Sequence, residues 1–356
     1  MANTHIHHVF EYTDVDRAFW QEHLEGWLPR RIIDAHVHIA DPALQHTPPT
    51  PEQRRQFWVG EAAEPITGDG LQRASEICYP GREMSFVAFG SVDLSWDIDG
   101  TNEYTASQCR QRGWSGLAVL RPEWTQAQLL GQLAQRGIIG VKPYYSMIRG
   151  DDGTHEGSIQ ASIFEFLPHH LLEVLNDRRA WVTLHVPKAE RLGHPDNIRE
   201  VREIRRRYPL IHLVLAHLGR CYTLEHAQEG LLPLADDEGL YFDNSAVMNP
   251  DVHRLALEVI GPRRLLYGTD NPIFYMRGRR QYAGRSYINR TSYPFHFNRD
   301  REAPEIEASY TLYLYEDLLA VKQACEKLGL ARQDVEDVFY NNAKRLIDAS
   351  NPRPSR

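Results

Sequence analysis

From Arg31 onward the chain alternates short apolar, β-rich runs with segments of helical period, and it completes eight such runs before residue 271. The runs are RIIDAHVHI (31–39), SFVAFGSVD (85–93), GLAVLRP (116–122), IIGVKPY (138–144), AWVTLHVP (180–187), IHLVLAH (211–217), GLYFDNS (239–245) and RLLYGTD (264–270). Amphipathic stretches such as TQAQLLGQLAQRG and NIREVREIRRRYP separate them, stopped at Gly137 and Pro209. Parallel strands need crossovers of this length, so the pattern predicts an α/β fold, and eight strands favour a closed (β/α)8 TIM barrel over a doubly wound sheet. The 356 residues fit one such barrel or two ordinary domains. The division expected is a short N-terminal extension over 1–30, the barrel domain over 31–349 and a tail over 350–356. A long irregular loop, 271 to about 307, follows the eighth strand.

Composition narrows the class. A formal charge of −8 with both signs interspersed leaves no footprint for nucleic acid or an anionic membrane. No apolar run approaches membrane-spanning length, and the first residues lack the pattern of a secretory signal. Cys78, Cys109, Cys221 and Cys325 lie far apart without a Cys-x-x-Cys pair, which argues against a zinc finger or a disulfide scaffold and for a cytoplasmic location.

Successive strand side chains alternate faces, so His36 and His38 point one way while Ala35, Val37 and Ile39 point the other. His185, His217 and Asp270 fall at the ends of the fifth, sixth and eighth runs. In a barrel these ends converge on one rim, where His36, His38, His185 and Asp270 could form a site of three nitrogens and one oxygen with room for a water. One histidine at a strand end is more often a hydrogen-bonded core residue than a ligand; four ligand types at corresponding ends overturn that reading. THIHHVF, with His5, His7 and His8, precedes the barrel pattern and reads as a surface arm with adventitious metal affinity at most.

DAHVH, TLHVP, LAHLGR, LYGTDNP and the terminal FYNNAKRLI together resemble the amidohydrolase superfamily, in its amidohydrolase-related branch of decarboxylases and lactone hydrolases. The resemblance runs from about residue 31 to 348. It implies a mononuclear site, usually zinc with manganese as the other option, held by His36, His38, His185 and Asp270. His217 would be the non-ligand histidine that orients or deprotonates the metal-bound water, and Asp34 would support the site from His36's own strand face. Binuclear members use a carboxylated lysine on the fourth strand, which Lys142 would match; alternatively Lys142 and Tyr144 contact substrate. Self-association as a dimer or tetramer is a further expectation from the resemblance.

The activity expected is hydrolysis of a small carbonyl compound, a lactone or amide bearing anionic or hydroxyl groups, by a metal-activated water with His217 or Asp270 moving the proton. Non-oxidative decarboxylation of a small unsaturated or aromatic carboxylic acid at the same metal is the alternative, and a barrel that binds without turnover is a third. Arg121 and Arg220 could hold a substrate carboxylate, and Asn244 and Asn271 could donate hydrogen bonds at the rim. The arginine- and aromatic-rich stretch that begins at Asn271 is expected to cover the pocket or pack on another subunit.

Overall fold

In a computed structural model, residues 6–55, 58–148 and 158–350 are described. Eight parallel strands run in sheet order equal to chain order: β1 (Arg31–His38), β2 (Glu83–Phe89), β3 (Ser115–Val119), β4 (Ile138–Lys142), β5 (Trp181–Leu184), β6 (His212–Leu215), β7 (Tyr241–Asp243) and β8 (Leu265–Leu266). The seam between β8 and β1 is closed by the backbone beyond β8. Ala35 N donates to Tyr267 O (2.8 Å), Asp270 N to His36 O (2.8 Å) and His38 N to Asn271 O (2.9 Å). The molecule is a (β/α)8 barrel.

The crossover helices are α1 (Gly68–Cys78), α2 (Ile98–Arg112), α3 (Gln126–Leu133), α4 (His169–Asp177), α5 (Pro195–Arg207), α6 (Leu224–Leu231) and α7 (Pro250–Val259). Their ends follow local chemistry. Thr125 Oγ1 accepts from Gln128 N while the Gln128 side chain accepts from Thr125 N, a capping box that starts α3. Gly113, at φ 71°, takes the left-handed position that ends α2. The run FEFLPHHLLEVLNDR is interrupted because Pro168 cannot continue a helix, giving Ile163–Phe166 and then α4. No helix among the described residues is long and apolar enough to cross a membrane.

The lumen is filled from below. Ile33, Val87, Leu117, Ile139, Trp181, Val214 and Leu266 form a layer contributed by seven strands, and Ala343 and Leu346 of the last helix, α9 (Asn342–Ser350), plug it at the amino-terminal end. Each fully buried aliphatic side chain contributes on the order of 1.5–3 kcal/mol. The lower end is thus shut, and the open rim is the carboxyl end of the strands. Outward residues such as Ile32, Phe86, Val182, Leu213 and Phe242 meet the helices, among them the long α8 (Tyr313–Lys327).

The strands are shorter than the apolar runs, since the polar residues at their carboxyl ends leave β geometry. His217 and Asp270 both have left-handed backbones, at φ 56° and 62°. A register shift in β1 between Asp34 and Val37 also changes a facing. Ile33 and Ala35 enter the lumen layer, so Asp34 stands on the seam instead of on His36's face. There it accepts from Thr269 N (3.0 Å), Thr269 Oγ1 (2.6 Å) and His36 N (3.1 Å).

Two further segments differ from expectation. The stretch after β8 is not irregular throughout, because Gly278–Ala283 (β9) and Ser286–Thr291 (β10) pair as an antiparallel hairpin. Gly284 supplies the positive φ (54°) that its two-residue turn requires. Its tip is tied to α6 by Arg285, whose guanidinium meets both Glu229 oxygens at 2.6 and 2.9 Å. The segment before β1 also packs into the main core through Val9, Trp20, Leu24 and Leu28. Within it His7 is buried, with Nε2 2.9 Å from Glu64 O and its ring edge on Tyr275; it is no surface arm, because aromatic packing draws it in. His5 and the tail from 351 lie outside the described residues.

Candidate metal centre

The carboxyl ends of β1, β4, β6 and β7 and the loop after β8 bring six polar side chains over the lumen plug. His36 is fully buried and its Nδ1 lies 2.9 Å from Asp243 Oδ2. His38 Nδ1 lies 3.1 Å from Gly90 O. A carbonyl or carboxylate can only accept, so both Nδ1 atoms carry the proton and both Nε2 atoms present lone pairs. These face one Asp270 oxygen, Oδ1, at 3.4 Å from His36 and 3.3 Å from His38.

Three acceptor atoms at such separations repel unless positive charge lies among them, and Lys142 Nζ, 3.2 Å from His36 Nε2, meets only one of the three. The donor set therefore fits a divalent ion, and the hydrogen bonds to Asp243 and Gly90 O are the outer partners that fix ligand tautomers. His36, His38 and Asp270 form one of two compact groups of metal-ligating atoms among the described residues; the other is His36, His217 and Asp243. In the second group Asp243 is already saturated: besides His36 it accepts from His217 N (2.9 Å), Ser245 N (3.2 Å) and Ser245 Oγ. That group is a hydrogen-bonded brace.

His217 begins a turn in which His217, Leu218, Gly219 and Arg220 all have positive φ, a conformation that costs non-glycine residues about 1–2 kcal/mol each. The turn carries the His217 ring over the lumen, 4.7 Å from that of His36. Ser245 Oγ gives its proton to Asp243 and so can only accept from His217 Nδ1, at 2.8 Å, as does Ser245 O at 3.0 Å. The His217 proton is thus on Nδ1, and Nε2 is left as an acceptor. Burial lowers the His217 pKa, keeping the ring neutral near pH 7. Burial, with Lys142 beside it, takes His36 down to about 3. For Asp270 burial works against charge, yet the three neighbouring histidines, His217 foremost, leave its carboxyl well below the usual range.

His185 stands on the same rim, its ring 5.2 Å from His217 and 4.4 Å from Tyr144, but outside both compact groups. Its buried Nδ1 has no hydrogen-bond partner, a spare donor or acceptor beside the cluster. Lys142 Nζ is 3.2 Å from His36 Nε2, fully buried, and burial brings its pKa down to about 8. Tyr144 stacks on Tyr145. Arg220 donates to Val186 O, Pro187 O and Lys188 O at 2.7–3.4 Å, bracing the loop that follows His185. Arg121 is engaged by Glu123 (2.5 Å) and Asp99 (3.6 Å). Asn244 Oδ1 accepts from Gly268 N (3.1 Å), and Asn271 serves the seam through its carbonyl.

Asp243 and Ser245 went unread in the sequence, although alternation holds the signal: Tyr241 packs at the lumen layer, so Asp243 must also face in. Gly268 is needed for the close approach of strands here, since a Cβ at that position would lie 2.9 Å from His36 Cβ and 3.1 Å from Ser245 Cβ.

Solved structures share the fold at low identity. An amidohydrolase from Burkholderia multivorans with bound zinc superposes at TM-score 0.56 with 13% identity, covering 89% of this chain and 98% of that one. A probable 2-pyrone-4,6-dicarboxylic acid hydrolase from Acinetobacter baumannii with citric acid bound gives 0.54 and 15%, over 89% and 98%. The 5-carboxyvanillate decarboxylase of Novosphingobium aromaticivorans, complexed with manganese and a nitrobenzoic acid, gives 0.50 and 14%, over 91% and 97%. No curated protein matches the chain by sequence. The amidohydrolase family model Amidohydro_2 matches residues 33–348, and with nearly the whole barrel inside that match the chain belongs to the amidohydrolase family.

Proposed function

We propose that this amidohydrolase-superfamily enzyme hydrolyses a small carbonyl compound, a lactone or amide that also bears a carboxylate. His36, His38, His185 and Asp270 hold one divalent ion, with zinc favoured and manganese the other option, as in the Burkholderia and Novosphingobium proteins. When bound, such an ion supplies Lewis-acid polarisation of a carbonyl oxygen and acidifies water.

The observation that carries the reading is the hydrogen bonding of His217 Nδ1 to Ser245. Its Nδ1–H is held by Ser245, so Nε2 is free to take a proton from the attacking water and return it to the leaving oxygen or nitrogen. The Asp243 carboxylate, reached through Ser245 Oγ, offsets the charge that the ring then acquires. Lys142, largely an ammonium near neutral pH, faces the same space and stabilises negative charge developing on the carbonyl oxygen. Tyr144 borders the pocket beside His185.

For decarboxylation in which His217 protonates the carbon, the ring would have to start as a donor at Nε2, whereas a ring protonated at Nδ1 begins as an acceptor there. The citrate in the Acinetobacter hydrolase supports a carboxylate-bearing substrate. The test is product analysis on a panel of lactones, amides and aromatic or unsaturated carboxylic acids. Acid release without carbon dioxide is expected. Carbon dioxide release would replace this reading with the decarboxylase, and no turnover in a protein carrying stoichiometric metal would remove both.

A further inference from the structure

The hairpin after β8 places an arginine where no carboxylate meets it. Arg280, on β9, is 8% exposed, and its guanidinium is fixed by Nε donating to Asn289 Oδ1 (3.0 Å) and Nη1 to Ala246 O (2.8 Å). Ala246 directly follows Ser245, so Arg280 is held against the loop that positions His217. Tyr287 lies 4.2 Å below its charge, with Tyr222 and Trp58 each at 5.9 Å. Tyr287 is on β10 of the same hairpin, while Tyr222 follows β6 and Trp58 follows β1, which locates Arg280 above that side of the mouth. Tyr222 in turn is 6.2 Å from the His217 ring.

Arg277, the other buried arginine among the described residues, has Asp16, and the half-buried Arg205 has Asp237. Arg280 forms no ion pair among the described residues, and neither does Arg191, whose charge sits 5.1 Å from the same Tyr222 ring. Asp317, whose field reaches Arg280, makes no hydrogen bond with either oxygen, and burial drives its pKa well above the usual range. A guanidinium remains charged even when desolvated, and one pre-oriented at two of its nitrogens loses little freedom on receiving a ligand. Nη2 makes no hydrogen bond to a carboxylate or carbonyl among the described residues, and the Tyr282 hydroxyl is the polar group beside the guanidinium.

We propose that Arg280 is a specificity-determining residue that receives a carboxylate of the substrate on the hairpin side of the mouth, remote from the reacting carbonyl. The substrate class is then a carbonyl compound whose carboxylate lies across the pocket from the metal ligands. This rests on the hydrolase reading for the reacting group only.

The test is calorimetric titration of the metal-containing protein, as purified, with isophthalate and with its mono-amide, which differ in one remote carboxylate. The wild type is expected to bind isophthalate at least about tenfold more tightly, and Arg280→Met to reduce that preference below about twofold while leaving mono-amide binding within about threefold. Arg280→Lys, which keeps charge but not the fork, is expected to retain part of the preference, and it decides the matter should the methionine variant not fold. Arg279→Met, on the same strand but exposed and paired with Glu302, is expected to change nothing. Equal weakening of both probes would mark a packing role and overturn the proposal. Absence of any wild-type preference, or of binding by either probe, would overturn it as well. No bond is cleaved in the titration, so a failed product assay would refute the hydrolase reading and leave this result standing.

Discussion

Asp243→Asn tests whether the second layer of the site sets the protonation of the first. Oδ1 of Asp243 accepts from His217 N, Ser245 N and Ser245 Oγ, and Oδ2 accepts from His36 Nδ1. An asparagine can serve only one side. Its carbonyl goes to the three donors, and its NH2 then faces His36 Nδ1, forcing that atom to accept and moving the proton to Nε2. His36 is lost as a ligand without being removed. Outer-partner changes of this kind cost about 10–100-fold in metal affinity, or about 1.4–2.7 kcal/mol by the usual conversion. Loss of the charge-assisted bond to His36 removes about 1.5–3 kcal/mol from the metal-free fold, with a fall in Tm of roughly 2–4 °C per kcal/mol. Zinc competition with a chromophoric chelator measures the first quantity, and thermal unfolding of the chelator-treated protein the second. Ser245→Ala is the control, because it leaves His36 bonded to Asp243 and His217 Nδ1 held by the backbone carbonyl alone, cutting the ring's link to the Asp243 carboxylate: metal affinity should hold within about twofold as turnover drops by about 10–100-fold. Unchanged zinc affinity in Asp243→Asn, or equal metal loss in both variants, would refute the tautomer argument.

His217→Ala is expected to keep its metal by elemental analysis while kcat falls about 10²–10⁴-fold, and His185→Ala to lose metal; equal metal loss in the two would show the roles to be wrongly divided. Glu316 on α8 gives a pH dependence away from the site, as burial, only partly opposed by Arg279, raises its pKa to about 7. A folded pKa above the unfolded value means that stability is fully present below about 4.5 and is lost as pH rises through about 7, so Glu316→Gln should gain on the order of 1–3 kcal/mol over wild type between pH 5 and 8 in urea unfolding. Parallel curves would contradict it. Asp16, buried, pairs with Arg277 and accepts from Thr311 Oγ1 (2.7 Å) and Leu312 N (3.1 Å), tying the short helix Asp14–Phe19 before β1 to the base of the hairpin. Asp16→Ala should lower unfolding free energy by about 3–5 kcal/mol by stranding Arg277, and a loss under about 1 kcal/mol would show that water replaces the carboxylate.

The barrel was legible because its strands are buried on both faces and so write themselves as apolar runs, each closed by a polar residue at the rim. That is why His36, His38, His185, His217 and Asp270 could be expected on one rim from spacing, although His185 lies outside the two compact groups of ligand atoms. Asp34 could not be placed, since the register shift in β1 adds a residue to the strand without any mark in the hydropathy pattern. Asp243 stayed hidden beside Asn244 because the order of inward and outward positions in GLYFDNS depends on which residue starts the strand, and β7 is only three residues long.

The hairpin was illegible for a different reason, which bears on what it does. Its buried positions are Gly278 and Arg280 on β9 and Asn289 and Thr291 on β10, none of them an aliphatic residue of the kind that signals a strand. A two-stranded element with a polar buried face has little hydrophobic reason to fold alone. It is held instead by specific contacts: Arg280 to Ala246 O, Tyr313 Oη to Arg279 O (2.9 Å) and Arg290 O (3.1 Å), and Arg285 to Glu229. Such contacts cost side-chain and backbone freedom and return only modest net stability. If Arg280 receives a substrate carboxylate as proposed, the return on that cost lies in what enters the mouth and not in the stability of the fold. The metal ligands, by contrast, sit on the most apolar part of the sequence, where the barrel itself fixes their positions. The ligand types of the candidate metal centre are thus written in the strands, whereas the hairpin that carries Arg280 is polar and hydropathy does not read it.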